Sequence, residues 1–162
     1  MIIKGTTVMK IKTKALEILA TWFYSGRAPV APGTFGSLAT LPFVYALNYY
    51  WGLNALLIFI AAVSLIGIWA SGRYAKLVNV SDPGFIVIDE TAGQSIALVF
   101  AGTNLWFYAL GFALFRLFDI TKPWPVSWAD KKLKGGLGIM LDDILAGMMA
   151  AAVMWGIKIY LS

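Results

Sequence analysis

Apolar residues fall in long blocks separated by short polar stretches. Leu38 to Ser71 runs 34 residues without a charge. It reads as a helical hairpin turning near Tyr50–Asn54, with arms of about 17 residues, close to the minimum for a membrane span of roughly 17. Thr91 to Phe118 holds a single charge, Arg116. At 28 residues it is long for one span and short for two, and Gly102–Asn104 is a natural break. A third block follows Asp142 and Asp143 and carries one later charge, Lys158. Upstream, Leu16, Leu19, Trp22 and Phe23 recur at helical spacing behind a basic start, Met1 to Lys14. That suits a short helix lying in the headgroup plane. Between them, Pro29, Pro32, Gly33 and Gly36 read as a loop, with Thr34 or Ser37 capping the next helix. Residues 72–90 and 119–136 read as polar connections. The fold expected is all-α: one polytopic integral membrane helix bundle over residues 1–162, with an interfacial N-terminal helix and short or broken membrane helices.

Composition agrees. The chain is 60% hydrophobic and 13% charged, with a mean hydropathy of +0.77; soluble domains average about 45–50% and about 25%. Positive charge sets the topology. If 91–118 bends back on itself, every Lys and Arg except Lys158 shares one face, counting Arg116 at its edge. A single crossing would instead put Lys122, Lys131, Lys132 and Lys134 on the far side. The bent-back form is therefore expected. The net charge of +5 suits anionic lipid surfaces, and the scatter of its basic residues argues against nucleic acid.

The chain has no Cys and no His. That excludes thiolate and histidine nucleophiles and Cys-type zinc sites. Chemistry is left to carboxylates, hydroxyls, Lys, Arg and bound ions. Seven of the eight acids lie between 82 and 143: Asp82, Asp89, Glu90, Asp119, Asp130, Asp142 and Asp143. Five of them touch apolar segments directly: Asp89, Glu90, Asp119, Asp142 and Asp143. In the bent-back topology they share one membrane depth. A carboxylate at the bilayer centre costs roughly 2.5–3.5 kcal/mol, and five together repel unless cations neutralise them. Oxygen ligands without His or Cys suit a hard ion, Mg²⁺ ahead of Mn²⁺ or Ca²⁺. The simpler alternatives are helix capping by Asp142 or Asp143, and a loop ion pair of Asp119 with Arg116 or Lys122. Basic groups beside the acids (Arg116, Lys122, Lys131) suit a phosphate substrate. Pro32–Ser37 is a weak anion cradle, lacking the Lys of a nucleotide loop. A cation-coupled transporter or channel is the rival function; it would string its acids at several depths.

Three stretches carry a resemblance: SGRAPVAPGTFGSLATLPF, DPGFIVIDETAGQSIAL and FRLFDITKPWPVSWADKKLKGGLGIMLDDILAG. In this order they resemble phosphatidylglycerophosphatase A over residues 25–147. The resemblance implies Mg²⁺-dependent removal of the terminal phosphate from phosphatidylglycerophosphate, giving phosphatidylglycerol and inorganic phosphate. It implies a multi-pass protein of the bacterial inner membrane with its active face in the cytoplasm, and a phospholipid substrate. By motif, Asp89, Glu90, Asp119, Asp142 and Asp143 are the implied metal and catalytic carboxylates. Arg116, Lys122, Thr34 and Ser37 are the implied phosphate-binding positions, with Asp130, Lys131, Asp82 and Arg27 as further candidates. A CDP-alcohol phosphotransferase is disfavoured, because the long aspartate signature of that family is missing.

Overall fold

The computed structural model describes residues 13–161. Lys4, Lys10 and Lys12 of the basic start lie outside the described residues. Every regular element among the described residues is helical: α1 (13–20), a 3-10 turn (Ser25–Arg27), α2 (Pro32–Val78), α3 (Ile88–Ala97), α4 (Leu105–Thr121), α5 (Val126–Lys132) and α6 (Gly135–Tyr160). Two of these, α2 and α6, are long and apolar enough to cross a membrane.

Helix α2 reverses direction at Gly52, whose φ of 71° and ψ of −169° suit glycine alone. The rings of Phe43 and Phe59 consequently meet with centroids 4.8 Å apart. A straight helix would separate these positions by about 24 Å. The expected hairpin is present, and its arms, 32–51 and 53–78, are longer than expected. They reach about 30 Å and about 39 Å at ~1.5 Å per residue. The first arm starts inside the Gly/Pro stretch, which is therefore helix from Pro32 onward. Proline is favoured at a first helical position, where its missing N–H costs nothing. Thr34 and Ser37 do not cap it: no side chain does, and Ser37 Oγ donates to Gly33 O inside the helix at 2.8 Å. The second arm continues past Arg73 and Lys76 and stops at left-handed Asn79 (φ 56°).

Helix α1 lies against the bundle and ends at residue 20, so Trp22 and Phe23 fall in the turn beyond it. Leu16 and Ala20 join a core with Val63, Ala70, Tyr74, Ile88 and Met140. Trp22, Phe23 and Tyr24 all take left-handed φ values (43°, 55° and 68°). Trp22 turns inward against Phe43 and Phe59, while Phe23 stays exposed.

Helices α3 and α4 are the two arms of a return. The break spans 98–104, and Asn104 caps α4 by accepting from Trp106 N at 3.0 Å. A Cβ built on Gly93 would lie 2.5 Å from the Phe115 ring, and one on Gly111 2.9 Å from Leu98. The register 93 to 115 and 98 to 111 is antiparallel, so Asp119 comes back to the end where α3 began. Lys158 lies at the other end of the bundle, donating to Phe100 O at 3.2 Å.

Helix α6 crosses its neighbours on glycine. A Cβ on Gly147 would strike Gly93 O, and one on Gly136 would strike Ile68 O. Small residues let backbones approach this closely where a larger side chain would part them. The segment from Lys134 to Gly138 thus acts as a packing surface for α2, and the first contact sets α6 against the start of α3.

Candidate active site

Each carboxylate arrives by a different element, and the glycine crossings bring them together. Asp89 and Glu90 sit in the first turn of α3, near its positive end. Asp119 lies in the last turn of α4. Asp142 and Asp143 are seven and eight residues inside α6, which starts at Gly135. They are therefore well past the capping positions, and capping does not explain them. Both are buried, at 8% and 4% exposure. Gly93 sits one turn along from Glu90, and its Cβ would meet Asp143 O at 2.5 Å. The α3–α6 crossing therefore places Asp143 next to the acids of α3.

Oxygens of Asp89, Glu90 and Asp143 lie within 4.8 Å of one another. Asp143 also feels the charges of Asp119 and Asp142. Two charges at that separation repel by about 3.5 kcal/mol at an effective dielectric of about 20. Three ionised carboxylates so placed need a cation among them. Four buried carboxylate oxygens have no hydrogen-bond partner: Asp89 Oδ1, Glu90 Oε2, Asp142 Oδ1 and Asp143 Oδ2. Unpartnered buried carboxylate oxygens from two helices, without nitrogen or sulfur, are the donor set of a hard divalent ion. The residues present fit Mg²⁺.

The group opens into a cavity of about 380 Å³. All seven acids between 82 and 143 line it, together with Lys122, Lys131 and Lys134. No string of acids along the bundle is seen: only Glu17 stands apart, paired with Arg27. Lys122 bridges the wall. It pairs with Asp130 and reaches Asp142 Oδ2 at 2.9 Å. Burial works against its charge, but hydrogen bonds to Asp130 and Asp142 outweigh it, so the amine titrates above the ordinary lysine value. It therefore stays charged at neutral pH, a positive group on the cavity wall.

Four other candidate residues lie off the cavity wall. Arg116 is half-buried beside the acids, with Nη1 2.6 Å from Asp119 Oδ2. Arg27 is engaged elsewhere, with Glu17, with Tyr74 Oη at 3.0 Å and over the Phe85 ring. Ser37 is fully buried with its hydroxyl on its own helix, and Thr34 is half-buried one turn before it. The Pro32–Ser37 segment still reaches the site through Gly33, whose Cβ would collide with Glu90 Oε1. Several contributors are not apparent in the sequence. Ser81, Lys134 and Gly138 line the cavity, and Gln94 is fully buried with both amide atoms unpartnered. The one signal for Gln94 is its place, four residues after Glu90 on the same helix face.

The family model for phosphatidylglycerophosphatase A matches residues 18–158. The chain belongs to the phosphatidylglycerophosphatase A family. It is 42% identical over 141 residues to the phosphatidylglycerophosphatase A of Escherichia coli (strain K12), a match covering 86% of this chain and 81% of that one. It is 40% identical over 147 residues to the phosphatidylglycerophosphatase A of Haemophilus influenzae, covering 90% of each. No solved structure matches it. The residues matched to the phosphatidylglycerophosphatase A family contain all the acids of the cavity.

Proposed function

We propose that this chain is a lipid phosphatase that hydrolyses the terminal phosphate of phosphatidylglycerophosphate, giving phosphatidylglycerol and inorganic phosphate, with Mg²⁺ as cofactor. The observation that carries the reading is the meeting of Asp89, Glu90 and Asp143 at the head of a cavity that also holds Lys122. The relatives bearing the phosphatidylglycerophosphatase A name match along most of the chain.

Asp89, Glu90 and Asp143, with Asp119 beside them, would hold the ion. Bound there, Mg²⁺ supplies charge neutralisation for phosphate oxygens and a lower pKa for water. Lys122 donates to a non-bridging phosphate oxygen, where charge spreads in the transition state. Asp142 Oδ1, buried and without a partner, accepts the proton of the attacking water. Water forms the new P–O bond, the bond from phosphorus to the glycerol oxygen breaks, and the proton taken by Asp142 passes to that oxygen to give the free hydroxyl.

The same reading places the protein across the bacterial inner membrane as a multi-pass bundle with the cavity facing the cytoplasm. The α2 arms and α6 match the hydrocarbon thickness of about 30 Å. Helix α3, about 15 Å long at ~1.5 Å per residue, is too short to cross alone and would be a re-entrant arm sheltered by protein. Exposed Trp124 and Trp128 on the α5 side suit the interface beside Lys131 and Lys132. The acyl chains would stay in the bilayer while the headgroup bends into the cavity.

Phosphate release from phosphatidylglycerophosphate in detergent tests the proposal. Release is expected with Mg²⁺ and is expected to stop in EDTA. No release with Mg²⁺ present refutes the activity; undiminished release in EDTA refutes the cofactor.

A further inference from the structure

We infer that Arg116 is a positioning residue that holds Asp119 and stands as a positive charge beside Glu90, and that it does not touch the substrate phosphate. The inference rests on the proposed metal-binding role of the carboxylates. Arg116 is absent from the cavity wall that Lys122, Lys131 and Lys134 share, and its side chain is 15% exposed. Its Nη1 is 2.6 Å from Asp119 Oδ2, one helical turn along α4. The same Nη1 would lie 3.2 Å from a Cβ on Gly33, and that Cβ would overlap Glu90 Oε1. So Gly33, one oxygen of Glu90 and the Nη1 that pairs with Asp119 crowd one point. The Phe115 ring, 6.0 Å from the guanidinium carbon, stands nearby on the preceding residue of α4.

This arrangement divides the work of Glu90. Its Oε1 lies against Gly33, at the positive end of the first α2 arm. Its Oε2 is buried and unpartnered, which leaves it for the ion. A planar guanidinium holds its donors in a fixed fork beside Asp119, where a lysine ammonium would be a point. Gly33 is part of the device, because any side chain there would take the space that Glu90 Oε1 fills. The PGT segment thus shapes the site from the rear.

The test is Mg²⁺ binding by calorimetry on the full-length chain in detergent without lipid, alongside kinetics on phosphatidylglycerophosphate. Arg116→Ala is expected to weaken Mg²⁺ binding by about 10- to 100-fold, the usual effect of removing a partner behind a metal ligand. At saturating Mg²⁺ its KM for lipid should stay within about threefold of wild type while kcat falls. Arg116→Lys should recover part of the affinity. Gly33→Ala leaves the arginine in place and should weaken Mg²⁺ in the same way, which keeps the test open if Arg116→Ala does not fold. Removing a positive charge by itself would tighten cation binding. An unchanged or tighter Mg²⁺ affinity in Arg116→Ala, with a raised KM, overturns the inference and makes Arg116 a phosphate contact. Wild-type protein that binds no Mg²⁺ overturns it as well. The two readings separate: Mg²⁺ affinity lost in the variants without lipid hydrolysis by wild type sinks only the activity, and normal hydrolysis with unmoved affinities sinks only the positioning role.

Discussion

Asp143→Asn should make the metal-free protein more stable while removing its function. The substitution keeps the shape of the side chain and deletes one charge from the Asp89–Glu90–Asp143 group, whose oxygens lie within 4.8 Å. At that distance each ionised pair costs about 3.5 kcal/mol with an effective dielectric of about 20. Asp143 takes part in two such pairs, so about 7 kcal/mol is the scale of the repulsion before relaxation. Proton uptake and side-chain relaxation relieve much of it, leaving a gain of about 1–3 kcal/mol. For a chain of this size, about 1 kcal/mol moves Tm by roughly 2–4 °C. Thermal unfolding in detergent with EDTA, at pH 8 to keep the carboxylates ionised, should therefore show Asp143→Asn melting several degrees above wild type. Saturating Mg²⁺ should reverse the order. At a hundred times its Kd an ion stabilises the form that binds it by about 2.7 kcal/mol, and the variant has lost a ligand. Turnover should be absent in either condition. If Asp143→Asn melts below wild type in EDTA, the carboxylates are not repelling one another. Asp143 would then be a hydrogen-bonded structural residue, and the electrostatic case for a metal centre would fall.

Two further outcomes follow from the packing and the cavity wall. Gly147→Ala should lower stability by about 1–3 kcal/mol and weaken Mg²⁺ binding, because its Cβ meets the backbone of Gly93 and no flexible side chain can yield. Gly156→Ala on the same helix has nothing within 4 Å of its Cβ and should hold or raise Tm; equal effects of the two would remove the crossing from the account. Lys122→Met keeps the apolar stem and deletes the donor that links Asp130 and Asp142. It should lower kcat/KM for phosphatidylglycerophosphate by about 10²-fold or more, and an unaltered kcat/KM would show that the amine is only a strut between α5 and α6.

What the sequence made legible was the part encoded by charge in an apolar background. Asp89, Asp119 and Asp142 are separated by tens of residues, yet each stands where an apolar block begins or ends. Burial cost alone then marks them, and the bent-back reading of 91–118 puts them at one end. Helical hairpin and return were legible for the same reason, through Gly52 and Gly102–Asn104. What stayed hidden depends on a partner distant in the chain. Pro32–Ser37 reads as a loop because Gly33 and Gly36 have poor helix propensity, whereas in the fold they leave room for Glu90 and Val87. Gly147 looks like any glycine of an apolar helix until Gly93 is seen against it. Arg116 was read as a phosphate ligand because a basic residue three positions from an aspartate is equally consistent with facing a substrate or holding the acid in place. The third body, Gly33 beside Glu90, favours the second role.

That third body also bears on why the carboxylates sit on three helices when two neighbours on one would suffice for a weak ion site. Divalent affinity depends on how rigidly the ligands are held as well as on their number. Here the helices are fixed by contacts that tolerate little slack: backbone on backbone at Gly93 and Gly147, the Phe115 ring of α4 on Gly93, backbone on backbone at Gly136 and Ile68, and Glu90 against Gly33. The same contacts keep mutually repelling acids from drifting apart. A looser bundle would relieve its repulsion by widening and would lose the ion in doing so. The small residues thus convert apolar packing energy into the close approach of charges. For that reason Gly33, Gly93 and Gly147 belong to the chemistry of this site although none of them carries a functional group.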